Sequence, residues 1–416
     1  MTSFAAIADD LTGACDVAAE LAAAGRRVRV VVAPGDPPAS EDGDAITIVN
    51  TQSRSLRADE AAACVRAALG GRPVGVLLKK IDTALRGHLG AELDAACEVL
   101  GALAFVLAAI PAAGRVTRNG CQWFGDRPLG ETEFARDPEG PGGLSSIPEV
   151  LARESGRRAV VVSREVVRSG GLAAEVARRR DEGVDVFVMD AESDDDVRAA
   201  VDAILGLPKP VCLAGSIALA ASLAASLDGF RIGGPTDDAA IPTPALVVSG
   251  SLHSRARAQV TAVLAAGNAI AVTLPARHAD VDARAYVVAD ATRALAAGTS
   301  AVLAAPLAAG VPSEAALRAT ERVVADTVAA IANATRIRSL VLIGGETSYA
   351  VLRRLEAETI EIGGRIAPLV AYGTIVRGPA AGARLVTKGG SGGEPDVIAS
   401  ALGARRSLRA AGEGRG

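Results

Sequence analysis

The sequence predicts an α/β protein of two domains, each built around a mainly parallel sheet. Three observations point there. Short apolar runs alternate with Ala-rich amphipathic stretches, the pattern of successive βα units. At 416 residues the chain exceeds one ordinary core, and half of it is hydrophobic, so two cores are easily built. A Gly/Pro/Thr/Asp stretch, GFRIGGPTDDAAIPTP (Gly229–Pro244), interrupts the alternation and reads as a linker.

Taken in order, Phe4–Ala8 reads as the first strand, and Ala14–Ala24 as a helix stopped by Gly25. Strands follow at Val28–Val32, Ile46–Val49, Val74–Leu78 and Leu103–Ile110, with helices at Ala58–Leu69 and Ala91–Leu100. Pro111–Pro148 is a long Gly/Pro-rich excursion, a length that in compact domains usually serves function. Strands resume at Ala159–Val162, Val186–Met189 and Val211–Leu213. Beyond the linker they recur at Ala245–Val248, Ala269–Leu274, Ala301–Ala304 and Leu340–Ile343. The expected division is 1–230, a linker at 231–244, 245–405, and a tail at 406–416 expected to be disordered. No internal repeat is evident.

Composition removes several classes. A net charge of −4 without a basic stripe argues against nucleic acid as a partner. Five scattered cysteines without CxxC spacing suit free thiols in a reducing cytoplasm, and three histidines are too few for a His-rich metal centre. Asp9 and Asp10 come too early for a signal peptide, and the apolar run Leu100–Ile110 is too short to span a bilayer. A cytoplasmic protein with no membrane partner is expected.

The densest chemistry lies in VLLKKIDTALRGHLGAEL (Val76–Leu93). Lys79, Lys80, Asp82 and Arg86 follow an apolar strand and precede a helix. A surface ion pair explains one such residue. Four behind a buried-type strand favour a ligand site at the strand's carboxyl end. Cations there suit a carboxylate or phosphate, and Asp82 suits hydroxyls. IADDLTGACD (Ile7–Asp16) puts Asp9 and Asp10 at a strand–helix junction. Asp10 could accept from substrate hydroxyls, act as general base, or merely cap the helix; Thr12 or Gly13 are alternative caps that leave backbone N–H groups for an anion. NTQSRSL (Asn50–Leu56) contributes Arg54 after another strand, so these segments could converge on one sheet edge.

The second half offers three turns: SGSLHS (Ser249–Ser254), IGGETS (Ile343–Ser348) and KGGSGG (Lys388–Gly393). Glycine lets backbone approach a ligand, and IGGETS leads into a helix over Tyr349–Leu355 whose N–H groups suit a phosphate. Three such turns suggest a nucleotide site. Neither a P-loop nor a dinucleotide fingerprint occurs. His253 could touch phosphate or base, though a turn histidine is usually incidental, and Trp123 reads as a loop anchor.

Together these motifs resemble the four-carbon acid sugar kinases. IADDLTGACD, KKIDTALRGHLGAEL, PAAGRVTRNGCQWFGDRPLGETEFARDPEGP (Pro111–Pro141), DAES (Asp190–Ser193), AGSIALA (Ala214–Ala220) and the three turns follow in that family's order, from Ile7 to Ile398. The resemblance implies two α/β domains facing a central cleft, the N-terminal one holding a small sugar acid and the C-terminal one ATP with Mg²⁺. It implies substrate-binding residues Asp10, Arg54, Lys79, Lys80, Ile81 and Asp82, with Arg86 close by. It likewise implies an ATP site of Ser251, Gly344, Gly345, Glu346, Thr347, Lys388, Gly389, Gly390, Ser391, Gly392 and Gly393, with His253 beside Ser251. Arg54 and Lys80 would clamp the acid's carboxylate, and Asp10 or Asp82 would be the catalytic carboxylate; a homodimer is the candidate assembly. This chain departs where the family commonly reads IDSTLRGN (here IDTALRGH), GSCS (here GSLH), and an aromatic residue in the last turn. Those departures motivate the alternative of a non-catalytic nucleotide- or metabolite-binding protein on the same scaffold.

Overall fold

A computed structural model describes residues 3–33, 45–71, 73–226, 240–251, 253–274, 281–304, 313–390 and 392–403. Residues 231–239 of the expected linker, the expected tail at 406–416, and Ser391 lie outside them. The chain divides into two compact units, residues 1–26 with 33–232, and residues 27–32 with 233–416.

The first unit is organised by a parallel sheet in the order Ile46–Asn50, Phe4–Ala8, Val76–Lys80, Val211–Gly215, Leu103–Leu107, Val184–Met189, Arg158–Val162. Every residue of Val76–Lys80 and Val211–Gly215 is buried, as expected where helices cover both faces. Helices Ala58–Leu69 and Leu89–Leu100 pack together on one face, each ended by a glycine with left-handed backbone, Gly70 and Gly101. Leu11–Ala23 packs with Ile217–Ser226 on the other.

This arrangement fixes where a ligand can sit. The chain leaves Phe4–Ala8 for Ile46–Asn50 on one side and then crosses to Val76–Lys80 on the other. The helices that follow these two neighbouring strands cover opposite faces. Such a reversal opens a crevice outside the carboxyl ends of the two strands. The register aligns those ends, Ala8 beside both Asn50 and Lys80.

The strand expected at Val74–Leu78 is shifted to Val76–Lys80, so both lysines lie within it. Period-two alternation then sends their side chains to opposite faces. Lys79 lies under Leu89–Leu100, and Lys80 lies beside Gly13 in Leu11–Ala23. The strand expected at Leu103–Ile110 ends at Leu107. The excursion after it is largely ordered, with a small antiparallel sheet of Arg115–Arg118, Cys121–Phe124 and Arg127–Pro128. Asp190, of the DAES segment, holds that hairpin by accepting from Asn119 N and Gly120 N at 3.0 and 2.8 Å.

In the second unit, Ala269–Thr273, Ser300–Ala304, Ala245–Ser249, Ser339–Ile343 and Arg384–Lys388 are parallel neighbours in that order. Antiparallel strands Val370–Ile375 and Thr359–Ala367 extend the sheet, and Val28–Val31 is added antiparallel to the latter. That early segment therefore serves the second sheet, which its apolar pattern alone could not show. The strand order reverses between Ala245–Ser249 and Ser339–Ile343, again marking a crevice at their carboxyl ends.

Candidate functional site

The first unit gathers its acids and cations at the carboxyl edge. Asp10, extended at φ −142° and ψ 158°, is the N-cap of Leu11–Ala23, with Oδ1 accepting from Gly13 N at 3.1 Å and Oδ2 from Thr12 Oγ1 at 2.5 Å. The helix thus starts three residues before the expected Ala14, and neither Thr12 nor Gly13 is its cap. Capping does not exhaust Asp10. Arg54 Nη2 donates to Asp10 Oδ1 at 2.6 Å, and Arg54 forks onto Asp9 through Nε and Nη2 at 2.9 and 3.0 Å. A fork onto two carboxylates is something only an arginine can supply.

The loop that delivers Arg54 is anchored from below. Ser53 N and Arg54 N donate to Asp9 O, and Thr51 Oγ1 donates to Ala8 O at 2.9 Å. Ser53 Oγ contacts Glu92 Oε1 and Thr51 Oγ1, and Glu92 Oε2 pairs with Lys79 Nζ at 2.8 Å. With 0% and 2% side-chain exposure, Lys79 and Glu92 have no surface to offer a ligand. Lys80 is also buried, but its Nζ meets only Ile81 O, at 2.7 Å, among the described residues. Ile81 contributes backbone; its side chain is in the core.

Beyond the strand, Asp82 Oδ2 accepts from Arg86 Nε at 2.6 Å, and Arg86 Nη1 lies 3.5 Å from Asp137 Oδ2. Asp82 Oδ1 makes no hydrogen bond among the described residues. Gly87, at φ +85°, lets the loop fold back over the arginine: a Cβ there would stand 3.3 Å from both Arg54 Cγ and Asp9 Oδ2.

The charges settle one another. Burial pushes the Asp82 carboxyl up, but Arg86, Arg54 and Lys80 outweigh it and hold Asp82 far below the carboxylate range. Burial likewise raises Asp9, and Arg54, Lys79 and Lys80 bring it below its ordinary value. Burial would lower Lys79, yet Glu92 and Asp9 hold it above. Arg54, Lys80, Arg86 and Asp82 thus act on each other as one cluster.

Two residues of this cluster escaped sequence reading. Arg115 reaches from the hairpin to Thr83 Oγ1, with its guanidinium carbon 4.5 Å from the centre of the Phe124 ring. Glu139, whose carbonyl accepts from Gly87 N at 2.9 Å, is pushed up by burial against the pull of Arg54 and Arg86. The signal for Arg115 was its place soon after a strand end, in the motif starting at Pro111; distance along the chain hid it.

In the second unit the three turns meet. Gly344, at φ +114°, caps a helix running from Gly345 to Arg354, longer than the expected Tyr349–Leu355, so Glu346 and Thr347 lie in its first turn. Gly344 N donates to Lys388 O at 2.9 Å. A Cβ on Gly250 would stand 2.2 Å from Thr347 Oγ1, and one on Gly390 would stand 2.4 Å from Ser251 Oγ. Glycine is therefore required where these turns touch. Lys388 is buried, with Nζ donating to Gly389 O at 2.5 Å, and Gln259 Nε2 ties down Gly392 O at 3.1 Å and Gly393 O at 3.4 Å. His253 caps helix Ser254–Ala265, its Nδ1 accepting from Arg255 N at 3.2 Å. The result is a cradle of backbone at the start of a helix, suited to phosphate.

Among the described residues no group of three or more His, Cys, Asp or Glu could hold a metal, and no helix is long and apolar enough to cross a membrane. All five cysteines are free.

An acid-and-cation cluster thus lies on one α/β unit and a glycine cradle on the other, the layout of a two-domain α/β protein. Residues 4–223 match the model of a sugar-binding N-terminal domain, and residues 246–398 that of a nucleotide-binding C-terminal domain. The chain belongs to the four-carbon acid sugar kinase family. It is 33% identical to a D-threonate kinase of Salmonella typhimurium, over 95% of this chain and 96% of that one. It is 35% identical to a D-threonate kinase of Bordetella bronchiseptica, over 97% of each, and 28% identical to a D-erythronate kinase of Heliobacterium modesticaldum, also over 97% of each. In fold it is similar to the crystal structure of a Haemophilus influenzae protein, with TM-score 0.72 and 24% identity over 96% of this chain and 99% of that one.

Proposed function

We propose that this protein is an ATP-dependent kinase that phosphorylates a hydroxyl of a four-carbon sugar acid of the threonate, erythronate or 3-oxo-tetronate type. The observation that carries the reading is the cluster of Asp10, Arg54, Lys80, Asp82 and Arg86 at a sheet reversal, in a chain whose relatives are kinases of such acids. In this reading the first unit takes the acid and the second takes the nucleotide.

Asp82 is the better placed of the two candidate catalytic carboxylates. Both oxygens of Asp10 are engaged in capping and with Arg54, whereas Asp82 keeps Oδ1 for a substrate hydroxyl. Held so firmly ionised, Asp82 is a weak base. Phosphoryl transfer asks mainly for positioning and charge neutralisation, so orienting the attacking oxygen and taking its proton late is sufficient. Asp10 and Arg54 line the site as a fixed pair. Lys80 supplies positive charge, and Lys79 acts through Glu92 and Ser53 to position the Arg54 loop. Ser251, Gly344–Thr347 and the 388–393 turn hold the phosphates through backbone N–H groups.

Mg²⁺ would enter with the nucleotide, as is usual for kinase sites, with Asp82 a carboxylate of the cluster that keeps an oxygen without a hydrogen bond among the described residues. When bound it neutralises phosphate charge. The test is ADP release coupled to a four-carbon acid panel, with Asp82→Asn and Asp10→Asn alongside. Loss of turnover in Asp82→Asn with nucleotide affinity retained supports the assignment; undiminished turnover in both variants overturns it.

A further inference from the structure

We propose that Arg115, presented by the hairpin of the long excursion, receives the carboxylate of the sugar acid and selects acids over neutral sugars. The inference rests on the kinase reading above and deepens it.

The cations of the site are not equivalent. Arg54 is neutralised by Asp9 and Asp10, Arg86 by Asp82 and Asp137, and Lys79 by Glu92. Neither Lys80 nor Arg115 has a carboxylate partner among the described residues, but the Lys80 ammonium is turned onto the Ile81 carbonyl, whereas the Arg115 guanidinium makes one hydrogen bond there, from Nη1 to the Thr83 hydroxyl. Burial holds the Arg115 guanidinium below its ordinary value, against the pull of Asp82. A part-buried guanidinium without a counter-ion is costly, and an incoming anion relieves that cost.

Its geometry is prepared for one. The guanidinium carbon lies over the Phe124 ring, 4.5 Å from its centre, and Thr83, next to Asp82, engages one nitrogen, leaving other N–H donors for a forked contact. The backbone is set as firmly: Ile110 N and Arg115 N exchange hydrogen bonds with Arg115 O and Ile110 O at 2.8 and 3.1 Å. The carboxylate at Arg115 and a hydroxyl at Asp82 would hold the two ends of one small molecule.

Calorimetry on the full chain, without nucleotide, compares D-threonate with its uncharged amide in wild type, Arg115→Gln and Arg115→Lys. The expected result is acid binding weakened at least about 30-fold in Arg115→Gln, the scale for losing one partner of a hydrogen-bonded charge pair. Amide binding and ATP affinity stay at wild-type values, and Arg115→Lys recovers part of the loss. Equal weakening of acid and amide, or unchanged acid binding, overturns the proposal. Arg115-dependent binding without phosphorylated product overturns the kinase reading alone. Product formation with an unchanged KM for the acid in Arg115→Gln overturns the Arg115 role alone, and no acid binding by wild type overturns both.

Discussion

Lys79 Nζ stands 2.8 Å from Glu92 Oε2 with both side chains sealed from water, and Glu92 in turn holds Ser53, the residue before Arg54. A buried pair of this kind contributes little net stability, but leaving one partner alone is expensive. Lys79→Met is therefore expected to lower unfolding free energy by about 3–5 kcal/mol. Lys79→Met with Glu92→Leu should recover a large part of it. Urea unfolding of the two variants checks this; a single variant as stable as wild type contradicts the role given to the pair.

Arg54 forks onto Asp9 and Asp10, a geometry that lysine cannot reproduce. Arg54→Lys should lower kcat/KM by about 100-fold, the scale of a misplaced catalytic constellation. Arg54→Met should be destabilised most at neutral pH. Asp9 has a depressed folded value in the native protein, so its stabilisation is present above the unfolded carboxylate value and is lost as pH falls through the folded one. Removing Arg54 leaves the buried Asp9 carboxylate without its main cation, so its affinity for protons must rise. The stability gap between variant and wild type should narrow from pH 7 towards pH 4.5 in thermal melts.

His88 gives the opposite sign. Burial opposes its charge, but Glu154 at 2.8 Å from Nδ1 and the Leu56 carbonyl at 2.5 Å from Nε2 raise it above the ordinary histidine value. Its stabilisation is fully present below the unfolded value and fades as pH rises through the higher folded one. His88→Ala should cost Tm at pH 6 and little at pH 9. An effect that grows with pH would contradict the assignment.

Gly344 stands at φ +114°, where an added Cβ would lie 3.3 Å from Ser251 Cβ and 3.4 Å from Thr347 Oγ1. Gly344→Ala should weaken ATP binding by about tenfold, in line with the roughly 1–3 kcal/mol of a strained backbone position. Sugar-acid binding should be unchanged. Calorimetry with each ligand separates the two.

Much of this was readable from the chain because the signals are local. Apolar runs fixed the parallel strands, and Asp10, Arg54, Asp82 and Arg86 each follow one at a sheet edge. The glycine turns at 250, 344 and 390 were equally plain, since they come where a side chain would collide. What escaped depends on partners far along the chain. A two-residue shift of the Val76–Lys80 strand separates Lys79, buried for support, from Lys80 on the other face. Val28–Val31 pairs with a strand more than 300 residues later. Arg115 reaches Thr83 across 32 positions. Periodicity carries no information about any of these.

The central claim is tested most directly by product analysis of the wild-type protein incubated with ATP, Mg²⁺ and, in turn, D-threonate, D-erythronate and a 3-oxo-tetronate. At least one acid should yield ADP and a singly phosphorylated acid in equal amounts, detected by mass spectrometry. Binding of both ATP and an acid without phosphorylated product from any of the three would contradict it.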